Sequence, residues 1–325
     1  MNVADKLVAM VLALAVFAAA IGLVLLVVSL LERRGARRVA WFFVGPTVLL
    51  ILIGLVYPAG RTMVRSLYDA AGSTFIGVAN YTAIFSSSDQ LLVLRNTVLW
   101  VLVTPVVATV VGLLYAIWVN GARGEAAAKA LIFLPMAISF VGASIIWRFV
   151  YEYRVHDRTL ANNPEQIGLL NQVIVWLGGS PQQFLLNQPW NTFFLIVVMI
   201  WIQAGFAMTI LSAAIKAIPT DITEAARLDG VNARQLFRFV TVPVIRPTLV
   251  VVLTTIAIGC LKVFDIVRTM TGGLYGTSVV ANEFYTQSFT AGNQGLGAAL
   301  AVLLFVLVVP IIVYNVRQLR QAEER

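Results

Sequence analysis

Long apolar runs separated by short polar segments decide what this chain can become. A helix crosses the hydrocarbon core of a bilayer with about 20 apolar residues. Seven stretches approach or exceed that length, at 7–31, 41–57, 98–119, 130–150, 192–215, 249–267 and 296–316. Backbone in lipid must satisfy its own hydrogen bonds, and for apolar runs of this length the helix does so. The expected fold class is therefore an all-α integral membrane protein with about seven transmembrane helices. Composition agrees: 60% of the 325 residues are hydrophobic and 12% are charged, against about 25% charged in a soluble domain. In the shortest run, Gly45-Pro46 predicts a kink near its start, which neighbouring helices can accommodate.

The first run has two readings. "ALA" at 13–15 and "AAA" at 18–20 resemble small-residue cleavage sites. The apolar stretch nevertheless continues to Leu31 and ends in ERRGARR, whereas a signal-peptide core is only about 7–15 residues long. A retained span is the preferred reading. Arg33, Arg34, Arg37 and Arg38 then belong in the cytoplasm, since Lys and Arg accumulate on that side. Alternation from there places the N-terminus outside and the C-terminus inside. Arg123 and Lys129, the basic residues of 216–247, and Arg317, Arg320 and Arg325 all fall on the inner side. The formal charge of +8 is thus a topology signal, and nucleic-acid binding is set aside. One cysteine excludes an internal disulfide framework.

Two outer segments are long, at about 59–95 and 152–191. The second contains GLLNQVIVWLGG, too short and interrupted to span, which reads as an interfacial or re-entrant helix. Tyr151, Trp176 and Trp190 suit the headgroup level. His156 has no His or Cys neighbour to complete a metal site and reads as solvated.

The most polar long stretch is DITEAARLDGVNARQLFRFVTVPVIRP, 221–247, between two spans. Asp221 with Glu224 reads as an N-cap pair close to a capping box. Ile222, Ala225, Ala226 and Asp229 share one helix face. Gly230 is where this helix stops, because glycine tolerates a left-handed conformation. Asn232 with Gln235 opens a second helix with the stripe Ala233, Leu236, Phe237 and Val240. Pro243 and Pro247 punctuate the junction with the next span. The segment therefore reads as a helix–turn–helix stopped at both ends. It is either a loop lying on the bundle or a docking knob, where alanines allow close approach and Glu224 can pair with a partner's arginine.

Residues 224–243 resemble the EAA loop of permease subunits in binding-protein-dependent ABC importers. That pattern is E-A-A, three residues, G, nine residues, then I-x-L-P. Here Glu224, Ala225, Ala226 and Gly230 match, with Val240 for the isoleucine and Val242-Pro243 for Leu-Pro. The resemblance implies a cytoplasmic coupling loop at 219–247 seated in an ATP-hydrolysing subunit, with Glu224, Ala225, Ala226, Asp229, Gly230, Phe237 and Pro243 in coupling roles. It further implies partners: a second permease subunit forming a heterodimer, two nucleotide-binding ATPase subunits and an extracytoplasmic sugar-binding protein, in a bacterial inner membrane. None of Lys6, Lys129, Lys216 and Lys262 follows a glycine, so the chain has no Walker A motif. It is expected to be a non-catalytic subunit with no cofactor of its own, ATP and Mg being bound by the ATPase partners.

WIQAGFAMTILSAAIKAIP (201–219), LKVFDIVRTMTGG (261–273), RTMVRSLYD (61–69) and FIGVANYTAIF (75–85) are similar to the sugar branch of the same family. NTFFLIVVMIWIQAGFAM and GTSVVANEFYTQSF look most like its α-glucoside-type members. The resemblance implies two parts: 1–40, an extra N-terminal helix with a basic loop, and 41–325, the six-helix importer domain. Gln203 and Phe206 fall at i, i+3 on the fifth run, and Lys262, Asp265 and Arg268 or Thr269 on one face of the sixth. Ionisable groups inside a membrane mark a pathway or pair with each other, and both readings of Lys262 and Asp265 stay open. By family analogy the sugar lies near Gln203, Phe206, Cys260, Val263 and Asp265; Cys260 alone reads equally as a small buried hydrophobe.

Two rivals remain. An importer of this class for another small solute, such as glycerol phosphate, would share the loop. A secondary transporter would show coupling carboxylates deep in its spans and inverted repeats; only Asp265 qualifies, and no such repeat is visible. Catalysis by the chain itself is set aside, because no Cys/His or paired-carboxylate constellation occurs.

Overall fold

The computed structural model describes residues 36–154 and 166–323, with side chains given for 41, 43–154 and 166–317. The first expected span, 7–31, and His156 lie outside the described residues. The chain divides into two units, 1–62 and 63–325.

In the first unit, α1 (Ala36–Ile51) passes through a π turn at Leu52–Val56 into α2 (Tyr57–Arg65), which crosses the boundary. Pro46, where the sequence suggests a kink, lies inside α1. A helical irregularity sits before Pro58. That proline has no N–H to return to Gly54, and the five-residue turn absorbs the missing bond, with the Tyr57 N–H donating to Leu52 O.

In the second unit a hairpin-like turn brackets Tyr68 and Phe75. Asp69 accepts from Ser73 N at 2.8 Å and Ser73 Oγ at 3.2 Å. These bonds, led by the backbone N–H groups of Thr74 and Ser73, hold its carboxyl below the usual range. The order continues with α3 (Ala79–Ser86), α4 (Ser88–Val119), α5 (Glu125–Phe133), α6 (Phe140–Val150) and α7 (Leu169–Trp176). Then come α8 (Trp190–Lys216), α9 (Thr220–Leu228), α10 (Ala233–Leu236), α11 (Val242–Leu261), α12 (Asp265–Met270), α13 (Val280–Tyr285) and α14 (Gln294–Glu323). Among the described residues five helices are long and apolar enough to cross a membrane, six if a bent pair counts as one span.

The centre is α4 against α8, with α11 packed on both and α14 on α11. Leu195, Ile196, Val198, Met199, Ile202 and Met208 of α8 join Trp100 of α4 and Ile256 of α11 in one buried cluster. Glycine sets how closely these helices approach. A Cβ on Gly112 would meet Ala207 Cβ at 2.5 Å, and one on Gly205 would meet Ile132 O of α5 at 2.5 Å. Small residues at helix contacts are the usual device in membranes, where lipid gives no hydrophobic drive between helices.

Two expected spans are not single helices. The run 130–150 breaks between Glu125–Ala137 and Phe140–Val150 with a 100° bend. A 3-10 turn containing Pro135 ends the first piece. Ser139 starts the second by accepting from Gly142 N at 3.0 Å, an ordinary N-cap. The run 249–267 ends as a helix at Leu261, and α12 begins separately at Asp265. The break lets Lys262 turn outward and places Asp265 in a first helical turn, where a negative charge suits the helix dipole. GLLNQVIVWLGG forms α7, eight residues long, with Trp176 exposed at its end.

Candidate coupling loop and substrate path

The polar segment 217–241 joins α8 to α11. Only 217–219 separate the last residue of α8 from the first of α9. Pro219, with φ −56° and ψ 135°, is the N-cap of α9, and it makes no side-chain cap bond. Asp221 is therefore not the cap that the sequence suggests. The proline fixes the chain direction, so the helix starts one residue before Asp221, and Asp221 becomes a first-turn acid that favours the dipole.

The end of α9 is as expected. Gly230 has φ +80°. Val231 N donates to Ala226 O at 3.2 Å and Gly230 N to Arg227 O at 3.0 Å, the paired bonds of a Schellman ending. A capping box follows, with Gln235 N to Asn232 Oδ1 at 3.0 Å and Asn232 N to Gln235 Oε1 at 2.9 Å. The second helix is not stopped at its far end, however. It runs through a π turn at Phe237–Thr241 into α11, and 233–261 forms one span. Pro243 cannot donate to Phe239 O, and the wider turn, with Val242 N bonded to Phe237 O, removes the need for that bond.

The loop offers its surface outward. Glu224, Ala225, Asp229, Gly230 and Pro243 are exposed, Ala226 and Phe237 half-buried, and Leu228 is 89% exposed. Among the described residues Glu224 has no ion-pair partner. Ile222 and Phe239 also leave apolar side chains exposed on this charged segment.

The candidate path residues separate into two groups. Cys260 is fully buried and Val263 is 6% exposed, both inside the chain's own core cluster. Gln203 and Phe206 on α8 and Asp265 on α12 are half-buried, and Lys262 is exposed. Lys262 and Asp265 form no ion pair. Lys262 does not share one helix face with Asp265, because the helix breaks at 262–264, whereas Arg268 follows Asp265 at i+3 within α12. Arg268 sits over the Tyr285 ring, 4.7 Å from its centre. A cavity of about 450 Å³ opens beside it, between Arg148 and Tyr151 of the α6 end, Gln183, and the 268–275 segment.

Sequence reasoning missed the polar residues that pin each end of the bundle. At the end away from α9, Asn96 Nδ2 donates to Gly276 O at 2.7 Å and Ser278 O at 3.0 Å. There Asn191 Nδ2 donates to Tyr275 O at 2.7 Å. Both amides are fully buried or nearly so, and Asn96-Thr97 inside an apolar run was the visible signal, since buried polar groups need partners. At the α9 end, Glu125, Lys129 and Lys216 meet; a Glu–Lys pair at i, i+4 was the signal there.

Comparison with known proteins agrees with this architecture. Residues 2–320 match the family described as binding-protein-dependent transport system inner membrane component. An osmoprotective compounds uptake permease protein of Synechocystis sp. is 44% identical over 87% of this chain and 99% of its own length. An α-glucoside transport system permease protein of Rhizobium meliloti is 45% identical over 85% of this chain and 81% of its own. Among solved structures, a bacterial ABC transporter involved in the import of the acidic polysaccharide alginate shares the fold, with TM-score 0.74 and 21% identity over 90% of this chain and 99% of that one. The chain belongs to the binding-protein-dependent transport system inner membrane components, as a non-catalytic permease subunit in the inner membrane.

Proposed function

We propose that this permease serves an ATP-driven importer of a di- or oligosaccharide, an α-glucoside in particular. It pairs with a second, homologous permease, two ATPase subunits that bind ATP and Mg, and an extracytoplasmic sugar-binding protein. The α9–α10 segment faces the cytoplasm, with the N-terminus outside and the C-terminus inside, as the basic residues at 216–246 favour. ATP binding draws the ATPase subunits together, α9 moves with its seat, and the spans switch access. Glu224, Ala225, Ala226, Asp229, Gly230, Phe237 and Pro243 make the seat contacts. Gln203, Phe206, Lys262 and Asp265 line the sugar path, and the buried Cys260 and Val263 join it through a shift of α11 and α12.

The observation that carries this reading is the exposed α9 tip closed by Gly230 at φ +80°, in a chain 45% identical to an α-glucoside permease. The similar degree of identity to an osmoprotective compounds permease favours one second reading, an importer of the same build for another small polar solute. The two separate in one experiment. The complete complex with its binding protein is reconstituted and ATP hydrolysis is measured across α-linked disaccharides, β-linked disaccharides and glycerol phosphate. Stimulation by α-linked disaccharides is expected; stimulation by glycerol phosphate alone would favour the second reading.

A further inference from the structure

The α9 end of the bundle holds a network that the seat contacts do not use. Among the described residues there are two ion pairs, and both end on one oxygen of Glu125. Oε1 accepts from Lys129 Nζ at 2.7 Å and also from Lys216 Nζ. Its second oxygen accepts from Gly121 N at 2.9 Å. Lys129 Nζ also donates to Asn120 Oδ1 at 2.9 Å and to Ser212 Oγ. Ser212, which is buried, is bonded to Asn120 Oδ1 at 2.6 Å. Glu125, with Lys129, thus ties the turn that ends α4 at Asn120 and Gly121, the first turns of α5 and the last turn of α8.

Position gives the network its meaning. Lys216 is the last residue of α8, and three residues later α9 begins. Toward α8, a displacement of α9 therefore reaches the ion-paired Lys216 within three residues. From Lys216 it has two routes. One runs up α8 itself. The other crosses Glu125 into α5, which leads to the 100° bend before α6. Beside the packing of α5 on α8 around Gly205 and Ile132, these side-chain bonds join the second route to the root of α9. Charge-assisted bonds are short and directional and transmit position well. Glu125 and Lys129 side chains are only 22% and 24% exposed, so solvent screens their pairing less than a surface pair.

We infer that Glu125 is a positioning residue for coupling: it makes the bent α5–α6 pair move together with α8 when α9 is displaced. This rests on the coupling role proposed above for α9. The network is a transmission element distinct from the seat, and its loss separates ATP consumption from transport rather than blocking docking.

The test uses the reconstituted full complex and compares Glu125→Gln, Glu125→Asp, Lys216→Gln and the exchange Glu125→Lys with Lys216→Glu. Sugar moved per ATP hydrolysed is the readout, with thermal stability measured alongside. Glu125→Gln and Lys216→Gln are expected to lower that ratio about fivefold or more, in the range of ordinary intersite coupling. Glu125→Asp is expected to recover most of it, whereas the exchange, which sets a second ammonium beside Lys129 and removes the acceptor of Gly121 N, is expected to stay low. A wild-type ratio in both Glu125→Gln and Lys216→Gln overturns the inference, as does a fall in stability with the ratio unchanged. If Glu125→Gln fails to assemble, Lys216→Gln, at a side chain 54% exposed, decides alone. A Glu224→Lys arm separates the two layers. If it keeps stimulated hydrolysis, the coupling reading of α9 fails; if it loses hydrolysis while the Glu125 and Lys216 variants stay wild-type, only the role of Glu125 fails.

Discussion

A permease carrying Glu224→Lys is expected to insert and to keep its fold, yet lose substrate-stimulated ATP hydrolysis. Glu224 is exposed on α9 and has no ion-pair partner among the described residues. Within the chain, then, the change is a surface substitution, of the kind that usually alters stability by less than about 0.5 kcal/mol. Against a partner the same change reverses a charge. Breaking a hydrogen-bonded charge pair at a protein interface costs about 2–5 kcal/mol, roughly 30-fold or more in affinity. Stimulated hydrolysis should fall by at least that factor, with membrane yield near normal. Hydrolysis at the wild-type rate would remove Glu224 from the coupling surface.

The second large effect is structural. Gly205→Val is expected to destabilise the bundle severely, because α8 meets α5 there with no room for a side chain. A Cβ would lie 2.5 Å from Ile132 O and 3.0 Å from Phe133 Cα. Both are backbone atoms, so no rotamer change relieves the clash. Overpacking of a tight core costs about 1–3 kcal/mol and sometimes more, and here the helices themselves must separate. Gly259→Ala is the matched control, since its nearest atom is the flexible Met199 Cε at 3.8 Å. Thermal melting of the two purified variants should show a large loss for the first and little change for the second. Equal melting would mean that the α5–α8 contact is looser than described.

How much of this was legible in the sequence depended on how local the signal was. The spans among the described residues were legible because lipid demands about 20 apolar residues in a row. The Gly230 ending and the Asn232–Gln235 box were legible because each needs only its immediate neighbours. The failures came where a proline or a packing partner intervened. Pro219 set the start of α9 and displaced Asp221 from the cap. Pro58 and Pro243 produced π turns rather than helix ends. Span periodicity gave no warning of the breaks at 138–139 and 262–264, because both flanks are apolar. Choosing a path-facing side on α8 was beyond sequence for the same reason: it is apolar all round, and which residues are buried depends on α4, α5 and α11. Cys260 and Val263 came from family likeness, and the fold buries them in its own core.

The central claim is that the α9 tip is gripped from the cytoplasm by an ATPase subunit. Leu228→Cys tests it most directly. The site is 89% exposed, whereas Cys260, the chain's one native cysteine, is fully buried, so labelling background is low. A membrane-impermeant maleimide is applied to intact cells and to inverted vesicles, with and without removal of the ATPase subunits. Labelling is expected only in inverted vesicles, and strongly only once the ATPase is stripped away. Labelling in intact cells, or labelling indifferent to the ATPase, would contradict the account.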